Sequence, residues 1–145
     1  MVLFGGLQQT FAADWSWTNE QGTQNWDDNN WYDGSTYGVP SETETVEINN
    51  FSQDGDQLKI RSGDTAEFYD IDIGNDGTGV VDVTGGTFRT NHSFNHGQIV
   101  IGDGSGNTGT LNQSGGEVIT SRQWFGLGIN DGKGTYNLSG GKLDV

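Results

Sequence analysis

An eight-residue pattern occurs three times in the second half of the chain: GVVDVTGG from Gly79, GTLNQSGG from Gly109 and GTYNLSGG from Gly134. The copies begin 30 and 25 residues apart, a difference that one loop absorbs. Self-similarity at such a period requires stacked supersecondary units, not a closed globule around a single pocket. Inside each copy the apolar residues alternate: Val81 and Val83, then Leu111, then Tyr136 and Leu138. That is the period of a strand with one face buried. The glycine pair closing each copy marks a corner that needs positive φ or close backbone approach. Nine residues after each leading glycine, Phe88, Val118 and Leu143 supply a further inward column.

A second set of columns precedes each copy: Ile71 and Ile73 before Gly74, Ile99 and Ile101 before Gly102, Phe125 and Leu127 before Gly128. Between the two sets lie NDGTG from Asn75, DGSGN from Asp103 and NDGKG from Asn130, chemistry that supplies the left-handed conformations of sharp turns. Like residues recur at like offsets across whole units, which favours parallel in-register stacking over hairpins. The predicted fold is all-β: a parallel β-solenoid of about three and a half rungs. Its first, degenerate rung begins at Val46 and Ile48, with Leu58 and Ile60 alternating before Gly63. Asp82, Asn112 and Asn137 form one solvent-facing column and Thr84, Ser114 and Ser139 another, both suited to hydrogen bonding along the axis. A third, Thr87, Glu117 and Lys142, places opposite charges on successive rungs. Gln113 falls where Val83 and Leu138 point inward, so it marks either a slip in register or a buried amide that needs partners.

Composition narrows the function. A formal net charge of -14, from 6 basic and 20 acidic residues, repels a nucleic-acid backbone and an anionic membrane, which excludes nucleic acid as a partner. No apolar run is long enough to span a bilayer as a helix, so membrane insertion is not expected. Without cysteine there is no disulfide framework, thiolate zinc site or cysteine nucleophile. Residues 1–13, with Ala12 and Ala13 before Asp14, read either as the remnant of a secretory signal without its charged start or as an N-terminal strand.

Four of the five tryptophans, Trp15, Trp17, Trp26 and Trp31, crowd into residues 14–45, ahead of the solenoid at 46–145. Flat aromatic faces beside Asp27 and Asp28 suit sugar stacking through Trp26 and Trp31. The competing reading, which the exposed first rung favours, is an N-terminal cap whose indoles cover that rung. The Trp-rich opening, the Trp26–Asp27 and Asn30–Trp31 pairs, Val39–Pro40 and the strand at Val46 and Ile48 precede repeats such as IGNDGTG and GTLNQSGG. Together they resemble bacterial surface proteins with autotransporter-type or PEP-CTERM-type β-strand repeats, over most of residues 15–145. The resemblance implies a secreted or cell-surface location and assigns no activity.

Chemistry-bearing residues are sparse. Asp76, Asp103 and Asp131 lie in successive turns and make calcium the one candidate ion, though no calcium-loop motif is present. Asp27 with Asp28, and Asp54 with Asp56, are further acidic pairs. Outward Asp70, Asp72 and Asp82 offer carboxylates of the type glycoside hydrolysis uses, but Lys59, Arg61, Arg89 and Arg122 form no cluster beside them, and no enzyme is predicted. His92 and His96, four apart among Gly and Asn, read as loop residues. The repeats run to Val145 without a capping sequence, which predicts either a longer native chain or an end covered by another copy. The expected function is therefore structural. Leu143 and Val145 of one copy would stack on Trp15, Trp17, Trp26 and Trp31 of the next, a head-to-tail contact that propagates into a filament or surface layer. An adhesin or carbohydrate-binding module, with polysaccharide as partner, is the alternative.

Overall fold

The computed structural model describes residues 15–50, 53, 55–91, 97–120 and 124–145, and the regular structure among them is entirely β-strand. Residues 1–13, Asp14, Asp54, His92, His96 and Arg122 lie outside the described residues. Three short strands come first: β1 (Trp15–Trp17), β2 (Trp31–Tyr32) and β3 (Tyr37–Gly38). Then a three-strand coil recurs. It runs through β4 (Val46–Asn50), β5 (Leu58–Ile60) and β6 (Thr65–Phe68), then β7 (Ile71–Val83), which serves two faces, and β8 (Thr87–Thr90). The third coil is β9 (Ile99–Asp103), β10 (Thr108–Gln113) and β11 (Glu117–Ile119). The last is β12 (Phe125–Ile129), β13 (Lys133–Leu138) and β14 (Lys142–Asp144).

Every rung-to-rung pairing is parallel and in the register the repeats predict, except that the β4–β7 pair shifts register between Ile48 and Asn50. Val46, Ile71, Ile99 and Phe125 stack on the first face, and Leu58, Val81, Leu111 and Tyr136 on the second. Ala66, Phe88, Val118 and Leu143 stack on the third. The chain is thus a parallel β-solenoid. Its first rung, expected to be degenerate, has all three strands; Ala66 heads the column of Phe88, and buried Phe68 stands in the next inward column beside Thr90. Ile71, Ile73, Val81, Val83, Phe88, Ile99, Ile101, Leu111 and Val118 are fully buried between neighbours above and below. Each such aliphatic side chain contributes about 1.5–3 kcal/mol relative to exposure.

Backbones touch at the corners. Gly102 has φ +74, and a Cβ there would sit 2.1 Å from the Lys133 carbonyl oxygen of the next rung. On the neighbouring strand, a Cβ on Gly109 would sit 2.1 Å from the Ile73 carbonyl oxygen and 2.4 Å from the Gly102 nitrogen. The repeated glycines are therefore a condition of rung spacing as well as of turn geometry.

Polar side chains bind the rungs on the outside. Gln57 Nε2 donates to Asp82 Oδ2 (3.2 Å), Asn112 Nδ2 to Asp82 Oδ1 (2.8 Å) and Asn137 Nδ2 to Asn112 Oδ1 (2.8 Å). The Thr and Ser column works differently from expectation. Thr84 Oγ1 donates to the Ile60 carbonyl and Ser139 Oγ to the Gln113 carbonyl, both at 3.2 Å, so these hydroxyls bond the preceding rung's backbone and not one another. Glu117 does stand in register between Thr87 and Lys142, but the Lys142 ammonium forms its ion pair with Asp144 (2.9 Å) on its own strand. The hydrogen bond from Lys142 Nζ to Asp144 and that carboxylate's charge raise the lysine's pKa, with Glu117 adding to the effect. Gln113 is in register and buried: its Nε2 donates to the Gly116 (3.1 Å) and Lys142 (3.0 Å) carbonyls, and its Oε1 accepts from the Tyr136 hydroxyl.

Close backbone approach makes Gly109→Ala costlier than Gly106→Ala, where φ is +89 but the space is open. We expect Gly109→Ala to lose about 3 kcal/mol and Gly106→Ala about 1–2 kcal/mol, read from urea unfolding midpoints. Equal losses would contradict the packing at that corner.

Candidate assembly and binding surfaces

The N-terminal segment lies on the first rung. β1 pairs parallel with β4, Trp15 beside Val46, while β2 runs antiparallel to β1 and β3 antiparallel to β2. Asn25 makes a parallel bridge to Lys59, whose backbone N–H donates to the Gln24 carbonyl at 2.9 Å. Arg61 fastens this layer from below, its guanidinium donating to Asn25 Oδ1 and to the Thr23 carbonyl (3.4 Å). Trp17 and Trp31 are 1% and 0% exposed, with ring centroids 5.0 Å apart edge to face. Trp31 packs on Phe68 (5.5 Å), Trp26 meets Phe68 edge-on (6.2 Å), and Phe68 meets Phe88 (6.3 Å). An aromatic column thus runs from cap to core.

Two indoles find acceptors: Trp17 Nε1 donates to the Asp56 carbonyl and Trp31 Nε1 to the Trp26 carbonyl, both at 2.8 Å. The buried Nε1 atoms of Trp15 and Trp26 have no partner among the described residues. The sequence reading offered Trp31 as a sugar platform and Trp17 and Trp31 as an interface for another copy. Their burial closes both rings to any outside partner; they belong to the core. Trp15 and Trp26 are half-buried and pack against that core.

The loop that follows β1 forms an open polar cleft of about 310 Å³, lined by Gln21, Thr23, Asp27, Asp28 and Asn29; Trp26, expected as a sugar platform, packs against the core and is not part of this lining. Asp28 accepts from the Thr23 hydroxyl and from Asn25 Nδ2 (3.0 Å), and these bonds, with Arg61 nearby, hold its carboxyl below the usual range. Buried Asn30 fixes the floor, donating to Thr23 Oγ1 (3.0 Å) and accepting from the Gln21 N–H (2.7 Å). Asp27 and Asp28 therefore do share one concavity, with Gln21, Thr23 and Asn29, which the sequence reading missed. The positive φ at Asn19 and Gln24 shapes this loop, but no periodic motif announces it.

The turn aspartates are dispersed. Asp103 Oδ1 accepts from Asn130 Nδ2 (2.8 Å), and the Asp76 N–H donates to Asn49 Oδ1 (3.1 Å). Asn107 does most of the corner's work, donating to the Asn75 and Asp103 carbonyls (2.6 Å each) and accepting from the Gly77 N–H (2.9 Å). Among the described residues no three Asp, Glu or His side chains gather at metal-binding range, so Asp76, Asp103 and Asp131 are not brought together. Of the outward acids, Asp82 is committed to the Gln57–Asn112 ladder and Asp70 accepts the Gln98 N–H (2.9 Å). Asp72 stands on the first face, between Glu47 and Val100.

The last described rung, at the opposite end, is formed by β12, β13 and β14. Leu127 and Leu138 are 48% and 52% exposed, against 0% and 1% for Ile101 and Gln113 in the same columns one rung earlier. Val145 and Trp124 are exposed there too, while Phe125, Tyr136 and Leu143 are half-covered. Among the described residues, β12, β13 and β14 are each paired on one side only.

Trp31→Ala should cost about 3–5 kcal/mol by chemical denaturation, the penalty of a core cavity; a loss below 1 kcal/mol would return Trp31 to the surface. In the β2–β3 turn, Asp33 accepts the Thr36 and Ser35 N–H groups (2.7 Å each) and both hydroxyls, which lowers its pKa from 3.8 to about 2. A pKa depressed by folding stabilises above the unfolded value and is lost as pH falls through the folded one. The turn should therefore loosen between pH 3.8 and about 2, with the Asp33 carboxyl titrating near the lower value by NMR. A midpoint at 3.8 would contradict these bonds.

The chain matches no protein-family model, no curated protein and no solved structure. Geometry and chemistry alone carry the functional reading.

Proposed function

We propose that the chain is a structural rod of a secreted or surface-displayed bacterial protein, and that it assembles with further copies of itself through the edges of its rungs. The observation that supports this is the parallel register of the rungs, which among the described residues runs unchanged into β12, β13 and β14 and leaves Leu127 and Leu138 half-exposed there. Such an edge templates further strands, and apolar columns ending in solvent gain by being covered. Net charge of -14 keeps the sides of such a rod solvated. Stacking of a tail on a head would meet β3, the outermost strand of that sheet, and the loop around Asn25, not Trp17 or Trp31.

Sedimentation velocity over a concentration series should show species heavier than the 15.6 kDa chain growing in with concentration. A single 15.6 kDa species throughout would sink the reading.

One observation favours a second reading. The cleft lined by Asp27 and Asp28 presents amides, a hydroxyl and two carboxylates, a donor and acceptor set suited to a polyhydroxylated ligand such as polysaccharide. Asp27→Ala should abolish glycan-array binding with unfolding unchanged; an array without hits would remove this reading.

A further inference from the structure

Glycine follows aspartate at five places in the chain: Asp33, Asp54, Asp76, Asp103 and Asp131. Such a bond is where a backbone can rearrange unaided, because glycine sets no side chain between its own nitrogen and the preceding carboxyl. The nitrogen must be free to react. Hydrogen bonds occupy it at four of the five: the Gly55 N–H donates to Gln57 Oε1 (2.7 Å), that of Gly77 to Asn107 Oδ1 (2.9 Å), and those of Gly104 and Gly132 to the Ile129 carbonyl (3.1 and 2.9 Å). The exception is Gly34, whose N–H has no partner among the described residues. It lies exposed at the tip of the β2–β3 turn with φ +92, and a Cβ there would meet nothing within 4 Å.

We propose that Asp33–Gly34 is the site at which the folded chain forms isoaspartate, at a rate held down by the Ser35 and Thr36 hydroxyls. The Asp33 carboxyl folds forward across the Gly34 peptide. Its Oδ1 accepts the Ser35 and Thr36 N–H groups (2.7 Å each) and the Ser35 hydroxyl (2.8 Å), and its Oδ2 accepts the Thr36 hydroxyl (3.2 Å). In the reaction the Gly34 nitrogen bonds to the carboxyl carbon and a C–O bond there breaks. The oxygen leaves as water, with its own proton and the amide proton. Water then opens the cyclic imide: attack at the side-chain carbonyl restores aspartate, and attack at the main-chain carbonyl leaves the backbone running through the Asp33 side chain.

The departing oxygen must be protonated, whereas the bonds from Ser35 and Thr36 favour the ionised carboxylate and so slow the reaction. No charged group on β1, β2, β3 or another element adds to that bias. Rearrangement inserts one carbon into the turn that holds Tyr32 opposite Tyr37 and Trp31 opposite Gly38. Because β3 is the outermost strand of its sheet, the change loosens β3 and leaves the solenoid intact.

The full chain, incubated at about pH 5 beside a Ser35→Ala/Thr36→Val double variant, tests this by mass-spectrometric peptide mapping of isoaspartate. It should build up at Asp33 at least about tenfold faster than at Asp76, Asp103 or Asp131, where a hydrogen bond must break first. The variant keeps both N–H donors but loses both hydroxyls, so its Asp33 titrates closer to the usual value and is more often neutral. Isoaspartate should therefore form faster at its Asp33 and no faster elsewhere. Even formation at Asp33, Asp76, Asp103 and Asp131 overturns the proposal, as does none at Asp33 when the urea-unfolded chain forms it there. A variant no faster than the natural chain overturns the role of the two hydroxyls while the site stands.

Discussion

Rung spacing is the constraint on which the rest depends. Parallel strands stack about 4.7–4.9 Å apart, and at the corners that distance leaves no room for a side chain between one backbone and the next. Gly102 against Lys133 and Gly109 against Ile73 are the cases where a single Cβ would strike a carbonyl oxygen. Once the corners close, each residue is held beside its counterpart one turn away. Inward columns become a continuous apolar core, and outward columns become ladders such as Gln57–Asp82–Asn112–Asn137.

A structure that grows by one rule along one axis has interesting chemistry only where the rule is interrupted. At the N-terminal end the interruption is a cap: Trp17 and Trp31 continue the core upward into an aromatic cluster over Phe68, and Arg61 ties the covering loop to the first rung. At the other end the rule runs on into the last described rung, where Leu127 and Leu138 are half-exposed. The charge follows the same division, acidic over the cap and balanced on the last rung. Head and tail are chemically distinct surfaces, which makes the symmetry of any self-contact a question with a physical answer.

The solenoid was legible because its information is periodic. Three copies of a Gly-Gly corner gave the second and third faces, and the isoleucine pairs before Gly74 and Gly102 gave the first. Gln113 was legible as a problem, and its three partners resolve it as a buried amide. Phe68 was missed because the first rung closes with Ser62 and Gly63 in place of a Gly-Gly pair, so nothing flagged the strand after it. The cap resisted reading for a different reason: β1 to β3 occur once, and their pairing is decided by long-range contacts such as Trp17 Nε1 with the Asp56 carbonyl. Composition signalled that the tryptophans matter, but not that two face inward. The polar cleft depends on Asn30 and on positive φ at Asn19 and Gln24, features no short pattern encodes.

The central claim is that the last rung is a binding edge and not merely the final turn of a finished core. Amide hydrogen exchange, compared at low and high protein concentration, tests it most directly. Exchange in residues 124–145 should slow as concentration rises, while that in 71–90, already sandwiched between rungs, stays unchanged. Exchange in 124–145 that is independent of concentration would contradict the claim.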